Sequence, residues 1–159
     1  MAEDDRANAA LIDRFYSAFA RRDHAEMARC YAPDARFSDP AFGELRGDHV
    51  TSMWRMLCEQ ADDLELGFGE VETTSDRGAA RWWADYTFTA TGRPVHNEIA
   101  AGFRFEGGLI AEHDDRFSFW RWSRQALGPL GIALGWSPVL RAMVRRQARG
   151  RLESFMARK

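Results

Sequence analysis

The stretch WWADYTFTATGRPVHNEIAAGFRFEGGLIAEHDDRF, residues 82–117, decides the fold. Apolar and polar residues alternate along it, the period of strands that bury one face. Trp82, Ala84, Tyr86 and Phe88 fall on one side of a first strand. Thr91-Gly92 supplies a hairpin turn. The return strand, from about Pro94 to Phe105, puts Ile99, Ala101 and Phe103 on a common side. Gly107-Gly108 turns the chain again, into a last strand expected to run from Leu109 to about Trp122. Upstream, Leu64, Leu66 and Phe68 repeat the same period and add a fourth strand.

Helical periodicity precedes these strands. Leu11, Ile12, Phe15 and Phe19 recur at three- and four-residue spacing behind Asp4 and Asp5, and Arg21 and Arg22 close that helix where cations complement its dipole. Asp23 with Glu26 reads as the capping pair of a second helix, with Met27, Cys30 and Tyr31 inward and Pro33 as its stop. Ala35 to Asp39 is a short strand ending at Pro40. Gly47-Asp48 launches a third helix whose buried face is Val50, Met53, Trp54, Leu57 and Cys58. Three helices followed by four strands predict an α+β fold with a curved antiparallel sheet.

Beyond residue 122 the chain changes character. Residues 123–135 are glycine-rich with one proline and read as irregular. Ser137-Pro138 then caps a final helix with Leu140, Met143, Val144, Ala148, Leu152 and Phe155 on one stripe and arginines on the other. The expected organisation is a domain over 1–122 and an extension over 123–159 packed on it. The apolar residues Trp120, Trp122, Leu127, Leu130, Ile132, Leu134 and Trp136 are expected to dock on the domain or on a second copy, near a pocket mouth, with the arginines outward. Residues 141–159 hold seven basic residues against Glu153, within a net charge of −2 for the chain. A basic tail suits nucleic acid or an anionic membrane. A solvated helix face is the simpler reading, so no nucleic-acid partner is expected and membrane contact ranks second.

The 159 residues suit one domain with a real core, and 45% hydrophobic and 29% charged residues are ordinary for a globular protein. The aromatic count, 11 Phe, 6 Trp and 3 Tyr, suits core filling and also a wide apolar pocket. Cys30 and Cys58 sit at apolar helix positions and read as buried thiols. The acidic start, Met1 through Asp5, does not resemble a signal peptide, and no run of ~18 apolar residues offers a membrane span. A cytoplasmic location is the default.

Three strings carry a family resemblance: Tyr31-Ala32-Pro33-Asp34-Ala35 running into Phe37-Ser38-Asp39-Pro40, then Gly43-Glu44-Leu45-Arg46-Gly47, then Ile110-Ala111-Glu112-His113-Asp114-Asp115. In this order the chain resembles the nuclear transport factor 2-like superfamily, which includes SnoaL-like polyketide cyclases and ketosteroid isomerases. The resemblance implies a cone-shaped sheet with helices on its concave face and a pocket between them. Strand parity then puts Trp82, Tyr86, Asn97, Ile99, Phe103, His113, Asp115 and Phe117 toward that pocket, with Tyr16, Phe37, Asp39 and Trp54 entering from the helical side. It also implies a homodimer through the outer sheet face.

The resemblance places Asp39 where ketosteroid isomerases keep their base. An aromatic wall would desolvate that carboxylate and raise its pKa toward a useful range; the tuning of ketosteroid isomerase is an established example of that logic. Asp39 could equally serve only to cap the Pro40 turn. His113 and Asp115 resemble the last-strand pair of SnoaL-like cyclases, whose aspartate is an acid/base catalyst; a surface pair at the sheet's flared end is the other reading. Phe15 and Ala101 stand where the isomerases hold their oxyanion tyrosine and aspartate, so steroid Δ5-isomerisation is not expected. His96 and Glu98 fall on the outer face, and His24 and His49 near helix starts. No residue pattern calls for a metal or cofactor. The expected function is cofactor-independent acid/base chemistry on a small, mostly apolar molecule, the alternative being a binding or dimeric interaction module of the same fold.

Overall fold

The computed structural model describes residues 2–158. Helix α1 (Glu3–Ala20) is followed by α2 (His24–Arg29), β1 (Tyr31–Asp39), β2 (Gly43–Arg46) and α3 (Asp48–Gln60). Strands β3 (Glu65–Thr73), β4 (Arg77–Phe88), β5 (Arg93–Glu106) and β6 (Leu109–Arg116) come next, then α4 (Phe119–Leu127), α5 (Pro129–Leu134) and α6 (Pro138–Ala157). One six-stranded sheet runs in the order β2-β1-β6-β5-β4-β3. The sheet is mixed, because β1 returns from α2 and pairs parallel to β6 while every other neighbour is antiparallel. Register shifts between Gly69 and Glu72, between Arg104 and Phe105, and between Tyr31 and Arg36 mark bulges in three of its ladders. Bulges bend strands and increase twist, so the sheet curves and stays unclosed around the N-terminal helices.

Helix α1 lies across the concave face with Ile12, Phe15, Tyr16 and Phe19 fully buried or nearly so. Asn8 pins it at one end, donating from its amide to the carbonyls of Thr74 (2.9 Å) and Ser75 (3.1 Å). At the other end Arg22 reaches the carbonyls of Ala61, Asp62 and Leu64, tying the α1–α2 turn to the loop before β3. Its charge therefore serves that loop as well as the helix end. Asp23 caps α2 through the Glu26 amide, as the capping pair predicts.

Three local expectations are corrected. Tyr31 opens β1 instead of ending α2, because α2 closes at Cys30 before Pro33 is reached. The last strand stops at Arg116 rather than near Trp122, since Ser118 accepts from the Arg121 amide and starts α4. Residues 123–135 are helical, not irregular: α5 crosses α4 so closely that a Cβ on Gly131 would lie 1.9 Å from the Ser123 carbonyl oxygen. Glycine supplies that close approach, and Gly128 (φ +66°) supplies the turn between the two helices.

The C-terminal segment packs on the same body. Leu140 and Leu152 of α6 are buried, and Ala148, Phe155 and Met156 lean on the main core. Phe119, Trp122 and Ala126 form a second apolar cluster with Val95. Docking is partial, however. Trp120, Leu130, Ile132, Leu134, Trp136, Val139 and Met143 stay exposed, because the short α5 turns its other side into the crossing at Gly131. Two arginines depart from the expected outward face, Arg145 by partial burial and Arg151 by reaching inward while still exposed. Arg145 lies over Gly43 and Arg151 reaches the cavity described below. Lys159, counted in the basic tail, lies outside the described residues.

The outer face of the sheet is covered by ion pairs, among them Arg36–Glu112, Arg104–Glu112, Arg116–Asp114 and His96–Asp85. Cys30 and Cys58 are unpaired and buried, and burial pushes both thiols up to about 11.

Candidate active site

Between the concave face of the sheet and helices α3, α4 and α6 lies a cavity of about 270 Å³. Strand alternation builds its floor: Trp82 and Tyr86 from β4, Asn97 and Ile99 from β5, Asp115 from β6 and Phe117 just beyond. Phe37 and Asp39 enter from β1, and Trp54 from α3. The six residues from β4, β5, β6 and the turn after it stand on the cavity side that strand parity predicts, and Phe37, Asp39 and Trp54, expected from the helical side, meet them there, the first two from a strand.

Three other expected lining residues are not at the surface of the cavity. Tyr16, Phe103 and His113 share its side of the sheet but are enclosed behind the lining. Aromatic rings pack around the His113 imidazole from Phe103 (4.4 Å between centroids), Phe37 (5.1 Å) and Phe15 (5.7 Å). It touches two lining residues through hydrogen bonds, Asp115 directly and Trp54 by way of Tyr31. Tyr16 stacks on Phe68 (5.2 Å), and its buried hydroxyl has no hydrogen-bond partner among the described residues. Burial pushes that phenol well above its ordinary range, with the Asp115 carboxylate adding to the rise.

Asp39 ends β1 beside Pro40, and its Oδ1 accepts from the Phe42 amide at 2.6 Å. The turn-capping and pocket readings therefore hold together: the carboxyl caps the turn and also lines the cavity. Burial pushes its pKa up to about 7, the Phe42 amide pulling it down and nearby Asp115 raising it, with Arg145 a lesser pull downward.

Asp115 ends a buried hydrogen-bonded chain. Its Oδ1 lies 2.9 Å from His113 Nε2 and 3.4 Å from Trp82 Nε1. On the far side His113 Nδ1 lies 2.7 Å from the Tyr31 hydroxyl, which accepts from Trp54 Nε1 at 2.9 Å. An indole only donates, so Tyr31 accepts from Trp54 and turns its own proton to His113 Nδ1. His113 then carries its proton on Nε2 and donates it to Asp115. Every N–H and O–H in the chain finds an acceptor in this one direction. Asp115 is thus held by two donors on one oxygen at the cavity wall.

Two parts of the site escape a reading of strand parity. Tyr31 is concealed because its neighbours look helical, and only its spacing of six from Phe37 on one strand side would have exposed it. The other part is the far wall. Trp122 and Leu127 of α4 and Val144, Gln147, Ala148 and Arg151 of α6 close the cavity. The small and apolar stripe of α6 signals burial, but no pattern within the chain says against what.

Comparison with known proteins places this geometry. A SnoaL-like domain profile matches residues 12–113. An NTF2-like protein of unknown function from Burkholderia pseudomallei superposes with a TM-score of 0.61 at 24% identity, over 70% of this chain and 90% of its own. A putative polyketide cyclase from Xanthomonas campestris gives 0.65 at 16% identity, over 77% and 98%. An LEH-like epoxide hydrolase from M. tuberculosis gives 0.65 at 13% identity, over 82% and 97%. At these identities the structures speak for the fold, and a search of curated proteins found no match. The profile, spanning most of the chain from α1 to His113, shows that the protein belongs to the SnoaL-like domain family.

Proposed function

We propose that the chain is a cofactor-independent acid/base enzyme of isomerase, cyclase or hydrolase type, acting on a small, mostly apolar molecule held in this cavity. One observation carries the reading: two carboxyl groups, Asp39 and Asp115, stand on an otherwise largely aromatic and aliphatic wall, and burial raises Asp39 to about 7. A group half-ionised near neutral pH both takes and returns a proton efficiently. Asp39 removes a proton from a carbon beside a carbonyl, or from a water. The same carboxyl then returns it to the rearranged carbon or to the oxygen that has gained the negative charge. Asp115, fixed by His113 and Trp82, serves as the second proton carrier, with His113 as a positioning residue. Asn97 and Tyr86 are polar groups of the cavity floor able to orient a substrate oxygen. Related folds include a putative polyketide cyclase, an epoxide hydrolase and a protein co-crystallized with polyporic acid, which supports a compact cyclic or polyketide-like substrate. Phe15 and Ala101 at the oxyanion positions argue against steroid isomerisation.

The test pairs turnover with binding. Mass spectrometry of compounds co-purifying with the protein supplies the ligand, and its turnover is followed against pH. Activity is expected to rise through about pH 7 and to be lost in Asp39→Asn, with ligand binding kept. Binding without turnover at any pH would instead make the chain a binding module. Full turnover by Asp39→Asn would return Asp39 to turn-capping alone.

A further inference from the structure

The exposed apolar residues of the C-terminal segment form one patch, and their surroundings say what covers it. Trp120 donates its indole N–H to the Ile132 carbonyl (3.2 Å), and Trp136 donates to the neighbouring Ala133 carbonyl (2.8 Å). Two tryptophans therefore flank the end of α5, with Ile132 and Leu134 beside them. Trp136 is 73% exposed, Val139 71% and Ile132 53%. Just beyond Trp136, Val139 and Met143 stand one helical turn apart on an exposed face of α6. Such a concentration of large apolar side chains on a surface marks a binding face.

Charge selects the occupant. Residues 119–159 hold nine basic residues and one acid, Glu153, against a net −10 over residues 1–118. Arg124 stacks over Trp120 (4.9 Å) and Arg141 over Phe119 (5.2 Å), so guanidinium groups border the patch. Pairing of two copies through this face would bring two strongly cationic segments together, which disfavours self-association. A planar anionic surface answers both features. It neutralises the arginine rim, and it accepts protruding Trp, Ile and Leu side chains at the depth of the headgroups. The acidic remainder of the molecule orients this face toward that surface. We infer that the α5 turn and the first half of α6 form a peripheral docking face for anionic phospholipid membranes. Membrane contact, the second-ranked reading of the tail, here acquires a defined surface. The inference is independent of the proposed chemistry, since none of the patch side chains lines the cavity.

Co-sedimentation of the full chain with large vesicles of phosphatidylcholine and phosphatidylglycerol tests it directly. Binding to mixed vesicles is expected to exceed binding to pure phosphatidylcholine by at least tenfold at low salt, and to weaken as salt rises. Ile132→Ser/Trp136→Ser/Met143→Ser replaces exposed side chains, so its melting temperature should match the parent while vesicle binding falls at least tenfold. Absence of binding to anionic vesicles at low salt overturns the inference. So does undiminished binding by a folded triple variant. Self-association that the variant abolishes, without vesicle binding, reassigns the face to a second copy. Should the triple variant fail to fold, Arg124→Glu/Arg141→Glu takes its place, and unchanged vesicle binding by that variant is likewise refuting.

Discussion

Asp39→Asn should make the protein more stable at neutral and alkaline pH, although it removes the proposed base. The carboxyl sits at about 7 in the folded chain against an ordinary 3.8, and burial is the leading cause. The folded state therefore holds a proton that the unfolded state releases between those two values. Stability of the parent falls as pH rises through that window and is flat above it. The whole difference corresponds to about 4 kcal/mol at 1.36 kcal/mol per pH unit. Asparagine keeps an oxygen for the Phe42 amide. Its nitrogen cannot accept as the second carboxyl oxygen can, an offset of about 1 kcal/mol. A net gain of about 3 kcal/mol remains, or roughly 6–12 °C for a domain of this size. Thermal unfolding followed by circular dichroism at about pH 4.5 and about pH 8 measures it, the gap between variant and parent being small at the first and full at the second. An equal gap at both pH values, or a destabilised variant at pH 8, refutes the claim that Asp39 is a desolvated carboxyl.

Three further outcomes follow from the packing. Tyr31→Phe strands the Trp54 indole N–H and His113 Nδ1 in the interior, so urea unfolding should show a loss of about 2 kcal/mol; unchanged stability would mean that the chain from Trp54 to Asp115 is not continuous. Truncation before Ser137 removes buried Leu140 and Leu152, worth roughly 3–6 kcal/mol together, and opens the cavity wall; the product should melt lower and bind ANS, and an unchanged melting temperature would refute docking of α6. Two copies pairing through the outer sheet face would meet across its ion pairs, so sedimentation should show twice the 18.2 kDa chain mass at low salt and dissociation as salt screens them. Only single chains at micromolar concentration and low salt would remove that pairing.

Much of the cavity floor is legible in the sequence because a strand alternates strictly. Once Trp82 and Ile99 face inward, the parity of Tyr86 and Asn97 follows without further information, and Asp115 follows once its strand is paired opposite Ala101. Parity does not report depth. His113 and Phe103 face the same way as Asp115, yet ring packing around His113 decides that only the aspartate reaches open space. Tyr31 shows a different limit. Its role depends on the parallel pairing of β1 with β6, a contact between residues 82 apart that local periodicity cannot encode. The end of β6 escapes local pattern for a third reason: Phe117 and Phe119 keep the strand's period of two across Ser118, and a single cap outweighs it.

The cavity's two walls have separate origins in the chain. Asp39, Trp54 and Trp82 come from the segment that carries the SnoaL-like profile, whereas Val144, Gln147, Ala148 and Arg151 come from a helix appended after it. Asp39 and the far wall of the cavity are therefore supplied by separate stretches of the chain. Gln147 or Val144 can be exchanged for larger, smaller or charged side chains without disturbing any hydrogen bond that holds Asp39 or Asp115. Substitution along the appended helix would therefore change the shape of the cavity while leaving the Asp39 turn as it is.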